Sequence, residues 1–282
     1  MNRILVRLKG WYWTLRRELL RRFCRFLVSS STLQAQWYLR KRGPIRVLVD
    51  NSVLAHSITH ETARILEIAK WGPYEINAVN AARIPIHSPA NNSRTYREIR
   101  YLAGIAHLAR LGHLQLFTSA ELQAERFRQP PGRFSGYGIF DLGLLNGINM
   151  ESLDGFKFDL IDPNGAQLKR IASCSDPLYV DLRTLVGQKS SLDAYHIFTA
   201  EKFDMFCFLH IDFPLAEKVK QNQAKKPFQR LKTKIFTPSD LGKLIGLLPV
   251  DTNLLSYEDA SFPVRPDLHR DTQARTRVRR KS

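Results

Sequence analysis

The sequence predicts an α/β fold of three layers, a mostly parallel central sheet with helices on both faces. Three observations predict it. Short runs rich in β-branched and aliphatic residues (Ile45–Val49, Leu114–Phe117, Met205–Ile211, Lys234–Phe236) alternate with helical patterns, the signature of parallel strands joined by crossover helices. The first of these runs is apolar at nearly every position rather than at every second one, as in a strand buried on both faces. With 282 residues, 44% of them hydrophobic, the chain has enough apolar side chain for one large core.

Taken in order, Ile4, Leu8, Trp11, Leu15, Leu19, Phe23 and Phe26 recur at spacings of three and four. Arg3, Arg7, Lys9, Arg16, Arg17, Arg21, Arg22 and Arg25 crowd the remaining positions. The pattern predicts a basic amphipathic helix within an N-terminal segment, 1–42. Its apolar stripe has three readings: packing on the globule or a protein partner, an anionic membrane surface, or an arginine-rich nucleic-acid arm. After Gly43-Pro44 comes the strand ending at Asp50 and a predicted helix over Ser57–Trp71. An extended stretch with a turn follows over Tyr74–Ile86, then a polar loop over Ser88–Asn92. Thr95-x-x-Glu98 reads as a capping box opening a helix that stops at Gly112, and Thr118-x-x-Glu121 as a second one after the next strand. Residues 129–187 are rich in turn formers and are predicted to be an irregular insertion. Ser191–Lys202 is a predicted helix, followed by the third strand and Asp212. Thr237-Pro238-Ser239-Asp240 opens a last helix. The α/β domain thus spans 43–255, and 256–282 is a basic tail predicted to be disordered from Arg265 onward.

Charge is unevenly divided. The net charge is +17, yet residues 1–42 hold eleven Lys or Arg and one acid, and 265–282 hold seven bases and two acids. Seven further bases without an acid lie between Lys218 and Lys234, and the rest of the body carries −5. Three widely spaced cysteines suit neither a disulfide framework nor a zinc knuckle, which points to a reducing, cytoplasmic setting, with peripheral membrane attachment as its variant. No apolar run approaches the roughly 18 residues of a spanning helix. Neither a membrane span nor a secretory signal is expected.

Asp50 and Asp212 each close an apolar strand, so a parallel sheet brings both to its carboxyl edge, where ligands bind. Glu125 follows the second strand and Asp193 opens the helix before the third. Four carboxylates at one edge repel unless cations neutralise them, and Mg²⁺ or Mn²⁺ prefers such oxygen donors. Glu121 and Glu98 are accounted for by capping, with Glu98 in reserve for Glu125. His196 and His210 are read as core or surface residues.

These residues resemble the PIN-domain family of metal-dependent ribonucleases. Val49-Asp50-Asn51-Ser52-Val53-Leu54 is similar to the family's opening strand with its first acid, and Thr118-Ser119 with Glu125 to its second strand, turn and acid. Asp193–Glu201 resembles the third-acid helix, Leu209-His210-Ile211-Asp212 the fourth-acid strand, and Ile235-Phe236-Thr237-Pro238 the closing strand. The resemblance covers about Arg46 to Gly246 and departs from the compact family in two places: roughly forty residues between the first strand and the Thr95 helix, and the stretch from Glu125 to Asp193, 68 positions on. It implies an endoribonuclease in which Asp50, Glu125, Asp193 and Asp212 hold Mg²⁺ or Mn²⁺ and metal-activated water hydrolyses an RNA phosphodiester, DNA being the alternative substrate. Ser52 would support a carboxylate or the phosphate, and Lys218, Lys220, Lys225, Lys226, Arg230 and Lys232 would contact the nucleic-acid backbone. The alternative expectation is a catalytically inactive PIN-like module that binds RNA or a protein partner.

Overall fold

In the computed structural model, which describes residues 2–71, 73–87, 93–154, 162–187 and 190–268, two helices lead into the sheet. They are α1 (Asn2–Ser31) and α2 (Leu33–Arg42), followed by β1 (Ile45–Val49) and α3 (Asn51–His56). Then come β2 (Ile58–Trp71), β3 (Tyr74–Pro85), α4 (Arg94–Ile99), α5 (Leu102–Arg110), β4 (Leu114–Thr118) and α6 (Ala120–Phe127). The middle of the chain forms α7 (Gly132–Ser135), β5 (Leu142–Gly143), β6 (Glu151–Ser152), α8 (Pro163–Ala172) and α9 (Pro177–Val186). The last third supplies α10 (Ser191–Lys202), β7 (Cys207–Leu209), α11 (Phe213–Asn222), α12 (Lys226–Arg230), β8 (Lys234–Phe236) and α13 (Pro238–Ile245). A 3-10 turn over Thr252–Leu255 follows.

The main sheet has the order β6-β4-β1-β7-β8, all parallel. Val47 opposes both Leu116 and Cys207, so β1 is the middle strand. Side chains alternate across a strand. Val47 and Val49 accordingly enter a core shared with α2, α4, α5 and α13, while Leu48 enters a second core shared with α6, α8, α9, α10 and α11. The three-layer α/β/α architecture with a mostly parallel sheet is therefore present, and the apolar character of β1 at both alternations is its cause.

Ser57–Trp71 is not a helix. From Ile58 it is β2, paired with β3 from His60↔Pro85 to Trp71↔Tyr74. Ile65, Leu66, Ile68 and Ala69 satisfy a helical spacing, but Ile58, Thr59, Thr62, Ile65 and Ile68 are β-branched, and Tyr74–Pro85 supplies a cross-strand partner for every position from His60 to Trp71. At the base of this hairpin the buried Arg83 donates to the carbonyls of Phe140 (2.6 Å), Ser256 (3.1 Å) and Glu258 (2.6 Å). Beyond the base, Leu66, Ile68, Tyr74 and Val79 are exposed.

Three further expectations are corrected. The 129–187 insertion is not irregular throughout, because α8 and α9 lie within it. Asp162 and Asp176 accept from the backbone N–H of Gly165 (2.8 Å) and Leu178 (2.9 Å), and a proline follows each cap. These Asp-Pro pairs are helix starts, not turns. The helix expected from Thr95 to Gly112 is two helices broken at Arg100–Tyr101, and its cap is Ser93, which accepts from Tyr96 N–H. Arg265 is ordered: its N–H donates to the Arg83 carbonyl at 2.9 Å. The tail from 269 and the loop 88–92 lie outside the described residues.

Candidate functional site

From β1 the chain moves outward to β4 and β6, then returns to place β7 and β8 on the other side of β1. This reversal puts a topological switch point between β1 and β7, and the crevice at their carboxyl ends is where such sheets bind ligands. Asp50 and Asp212 flank that crevice. The Asp50 N–H extends the ladder by donating to Leu209 at 2.9 Å. Its carboxylate caps α3, accepting from the Ser52 N–H at 2.9 Å and from the Ser52 hydroxyl. The Ser52 oxygen in turn accepts from Ile211 N–H at 2.9 Å. One serine thus fixes the first acid and ties it to the chain leading to the fourth. Asp212 caps α11, accepting from Leu215 N–H at 3.1 Å, and donates its own N–H to His210 Nδ1 at 3.2 Å.

Asp193 sits in the first turn of α10, half-buried. Burial raises its pKa against the pull of His196, and the carboxylates of Asp212 and Asp50 push it the same way as burial. Ser190 hydrogen-bonds this carboxyl and also accepts from Lys218 Nζ at 2.7 Å. Lys218, read from sequence as a nucleic-acid contact, is therefore turned inward toward the acids. Lys220, Lys225, Lys226, Arg230 and Lys232 are exposed on and beside α11 and α12.

Glu125 has a different environment. Its Oε1 lies 2.8 Å from His196 Nε2, and Asn51 bridges its Oε2 (3.4 Å) and the Leu122 carbonyl (2.7 Å). Burial opposes the Glu125 charge, but His196 and Asn51 hold its pKa below the usual range. His196 is itself 2% exposed. Burial disfavours its charge, yet Glu125, with Asp50 and Asp193 behind it, lifts its pKa to about 9. The neighbouring carboxylates thus favour the protonated form of this imidazole. The other ring nitrogen, Nδ1, is buried without a hydrogen-bond partner. His210, by contrast, has its pKa lowered by burial against the pull of Asp50 and Asp212.

The sequence reading missed His196 and Asn51 as members of the site. The one available signal was the placement of His196 three positions after Asp193, on the same face of a helix. Glu98 does not take Glu125's place beside His196. It accepts from Ser239 N–H (2.8 Å) and Ser239 Oγ (3.0 Å) at the start of α13. Glu121 is buried and paired with Arg170 at 2.8 Å, while the cap of α6 is Ser119, so Thr118-x-x-Glu121 is not a capping box. A cleft of about 880 Å³ beside α6 is lined by Leu54, Gln123, Arg126, Phe134 and Asn146, and by none of the four acids.

The donor chemistry of Asp50, Asp193 and Asp212 suits a hard divalent cation, all oxygen and mutually repelling. Among the described residues, however, no three His, Cys, Asp or Glu side chains lie close enough together to hold a metal ion. Among them, too, no helix is long and apolar enough to cross a membrane. Compared with known proteins, the chain matches no family model, no curated protein and no solved structure.

Proposed function

We propose that the protein is a PIN-like, metal-dependent endoribonuclease acting from the crevice between β1 and β7. The observation that supports this most is geometric: Asp50 and Asp212 follow the adjacent parallel strands β1 and β7 at the switch point, and Ser52 ties Asp50 to the segment that leads to Asp212. In this reading Asp50, Asp193 and Asp212 would hold Mg²⁺ or Mn²⁺ only after drawing closer together than they now lie, and Glu125 would join them only by releasing His196. A cation held there would supply a water of lowered pKa and would neutralise charge developing on the phosphate oxygens. Ser52 keeps the Asp50 carboxylate in one orientation. Lys218, through Ser190, does the same for Asp193. His196 fixes Glu125 through Nε2, while its Nδ1 is buried without a hydrogen-bond partner. The exposed bases of α11 and α12 attract the RNA backbone.

The test is cleavage of single-stranded RNA by the full chain with Mn²⁺, with chelator, and with Asp193→Asn. Metal-dependent cleavage lost in the variant is the expected result, and equal cleavage by both proteins overturns the reading. A second reading, a catalytically idle RNA-binding module, is favoured by the spacing of the acids and by the engagement of Glu125 with His196. Tight RNA binding with no metal-dependent turnover would select it.

A further inference from the structure

Helix α1 has two apolar faces. Cys24 is buried with its Sγ 2.6 Å from the Leu254 carbonyl, Ser31 is buried, and Val28 packs on the core shared by α2, α5 and α13. On the other side Trp11, Leu15, Leu19, Phe23 and Phe26 recur at spacings of four and three and are 67%, 43%, 57%, 49% and 65% exposed. Five large apolar side chains thus form a stripe about 22 Å long at 1.5 Å per residue, pointing away from the body. An exposed row of this kind on a soluble domain calls for a cover.

The charge around the stripe says what the cover is. On the helical projection Arg16 borders the stripe and Arg22 lies within it, between Trp11 and Leu15. The segment 1–42 carries eleven bases and a single acid, Glu18. A second copy of the chain would bring two such segments together and is disfavoured by repulsion. RNA would use the arginines and leave Leu15, Leu19 and Phe26 uncovered. An anionic lipid surface uses both: the acyl boundary takes the aliphatic and aromatic stripe, tryptophan favours the headgroup level, and the guanidinium groups meet phosphate.

We infer that the outward face of α1 docks the protein onto an anionic membrane surface. The inference is independent of the nuclease reading. It also divides the molecule usefully, because α1 packs on one face of the sheet while Leu215 of α11 and Phe228 of α12 pack on the other. With α1 on lipid, the exposed bases of α11 and α12 remain turned to solvent.

The test is co-sedimentation of the full chain with phosphatidylcholine vesicles, with and without phosphatidylglycerol, together with tryptophan emission. Expected are binding to the anionic vesicles, binding to neutral ones at least about tenfold weaker, and a blue shift of emission on binding. The triple variant Trp11→Asp, Leu15→Asp, Leu19→Asp lowers partitioning at least about tenfold. The control Leu66→Asp, Val79→Asp, equally exposed but on the hairpin, binds as the wild type does. Since all these side chains are exposed, circular dichroism should be unchanged. Should the triple variant misfold, Arg16→Glu with Arg22→Glu lowers binding by a similar factor and keeps the stripe. Failure of the wild type to bind anionic vesicles overturns the inference. So does wild-type binding by the triple or the charge-reversed variant, or loss of RNA binding or of self-association, rather than of vesicle binding, when the stripe is changed.

Discussion

The crevice between β1 and β7 and the outward face of α1 are opposites in how their side chains are held. Each of the four acids has a fixed partner: Asp50 has Ser52, Glu125 has His196, Asp193 has Ser190 and Asp212 has the N–H of Leu215. The stripe on α1 has a row of exposed apolar groups and arginines bonded mainly within the same helix, such as Arg22 with Glu18. The first arrangement selects by position and suits chemistry on one group of atoms. The second selects by area and charge and suits an extended surface. The difference also resolves the net charge of +17, which belongs to attachments around a body that carries −5 without its Lys218–Lys234 stretch.

If the crevice selects by position, Asp50→Asn, which preserves shape, should reduce metal-dependent RNA cleavage at least about a thousandfold. Single-turnover kinetics checks it. The hairpin base is held in the same manner, and Arg83→Leu, which orphans three carbonyls, should cost about 3 kcal/mol in urea unfolding. A loss below about 0.5 kcal/mol would show that the base is not a fixed point. His196→Gln should cost about 2 kcal/mol at pH 6. The sign of its pH dependence follows from the pair. The His196 pKa rises from 6.5 to about 9 on folding, so its stabilisation is complete below pH 6.5 and is lost as pH rises through 9. Glu125, lowered on folding from 4.5, acts oppositely, and its share is lost only as pH falls below that value. Unfolding measured from pH 6 to 10 should show the alkaline loss in the wild type and not in His196→Gln. Asp193→Asn should abolish metal-dependent RNA cleavage yet stabilise the fold by about 1 kcal/mol at pH 7, because burial, Asp212 and Asp50 all oppose the native charge. A destabilised Asp193→Asn would mean that its carboxylate is structurally satisfied. Smallest is the exposed pair Arg94–Glu217, where Arg94→Ala should change stability by less than about 1 kcal/mol.

The central strands β1, β4 and β7 were legible because each lies in a short apolar run stopped by a turn or cap residue, a pattern with one physical solution in a two-sided sheet. That same rule placed Asp50 and Asp212 at one edge. The β2–β3 hairpin was not legible, since Ile65, Leu66, Ile68 and Ala69 fit a helix and only the partner strand decides between periods. Residues whose role depends on a distant contact were hidden as well. His196 gains its charge from Glu125, 71 residues away, and Glu98 is occupied by Ser239, 141 residues away. Local spacing set His196 beside Asp193 but carried no trace of its pairing with Glu125 or of the contact of Glu98 with Ser239.

The switch point also has a consequence in time. Ser52 donates to Asp50 and accepts from Ile211, two contacts separated by 159 residues of chain, and β1 has no neighbour on that side until β7 arrives. Loops of that span close slowly, and a chain emerging from its N-terminus holds β1 and β4 long before β7 exists. The crevice is therefore among the last features to form during synthesis. A chain interrupted before Asp212 carries the basic helix but no crevice, so whatever chemistry the acids perform is withheld until nearly the whole body has been made.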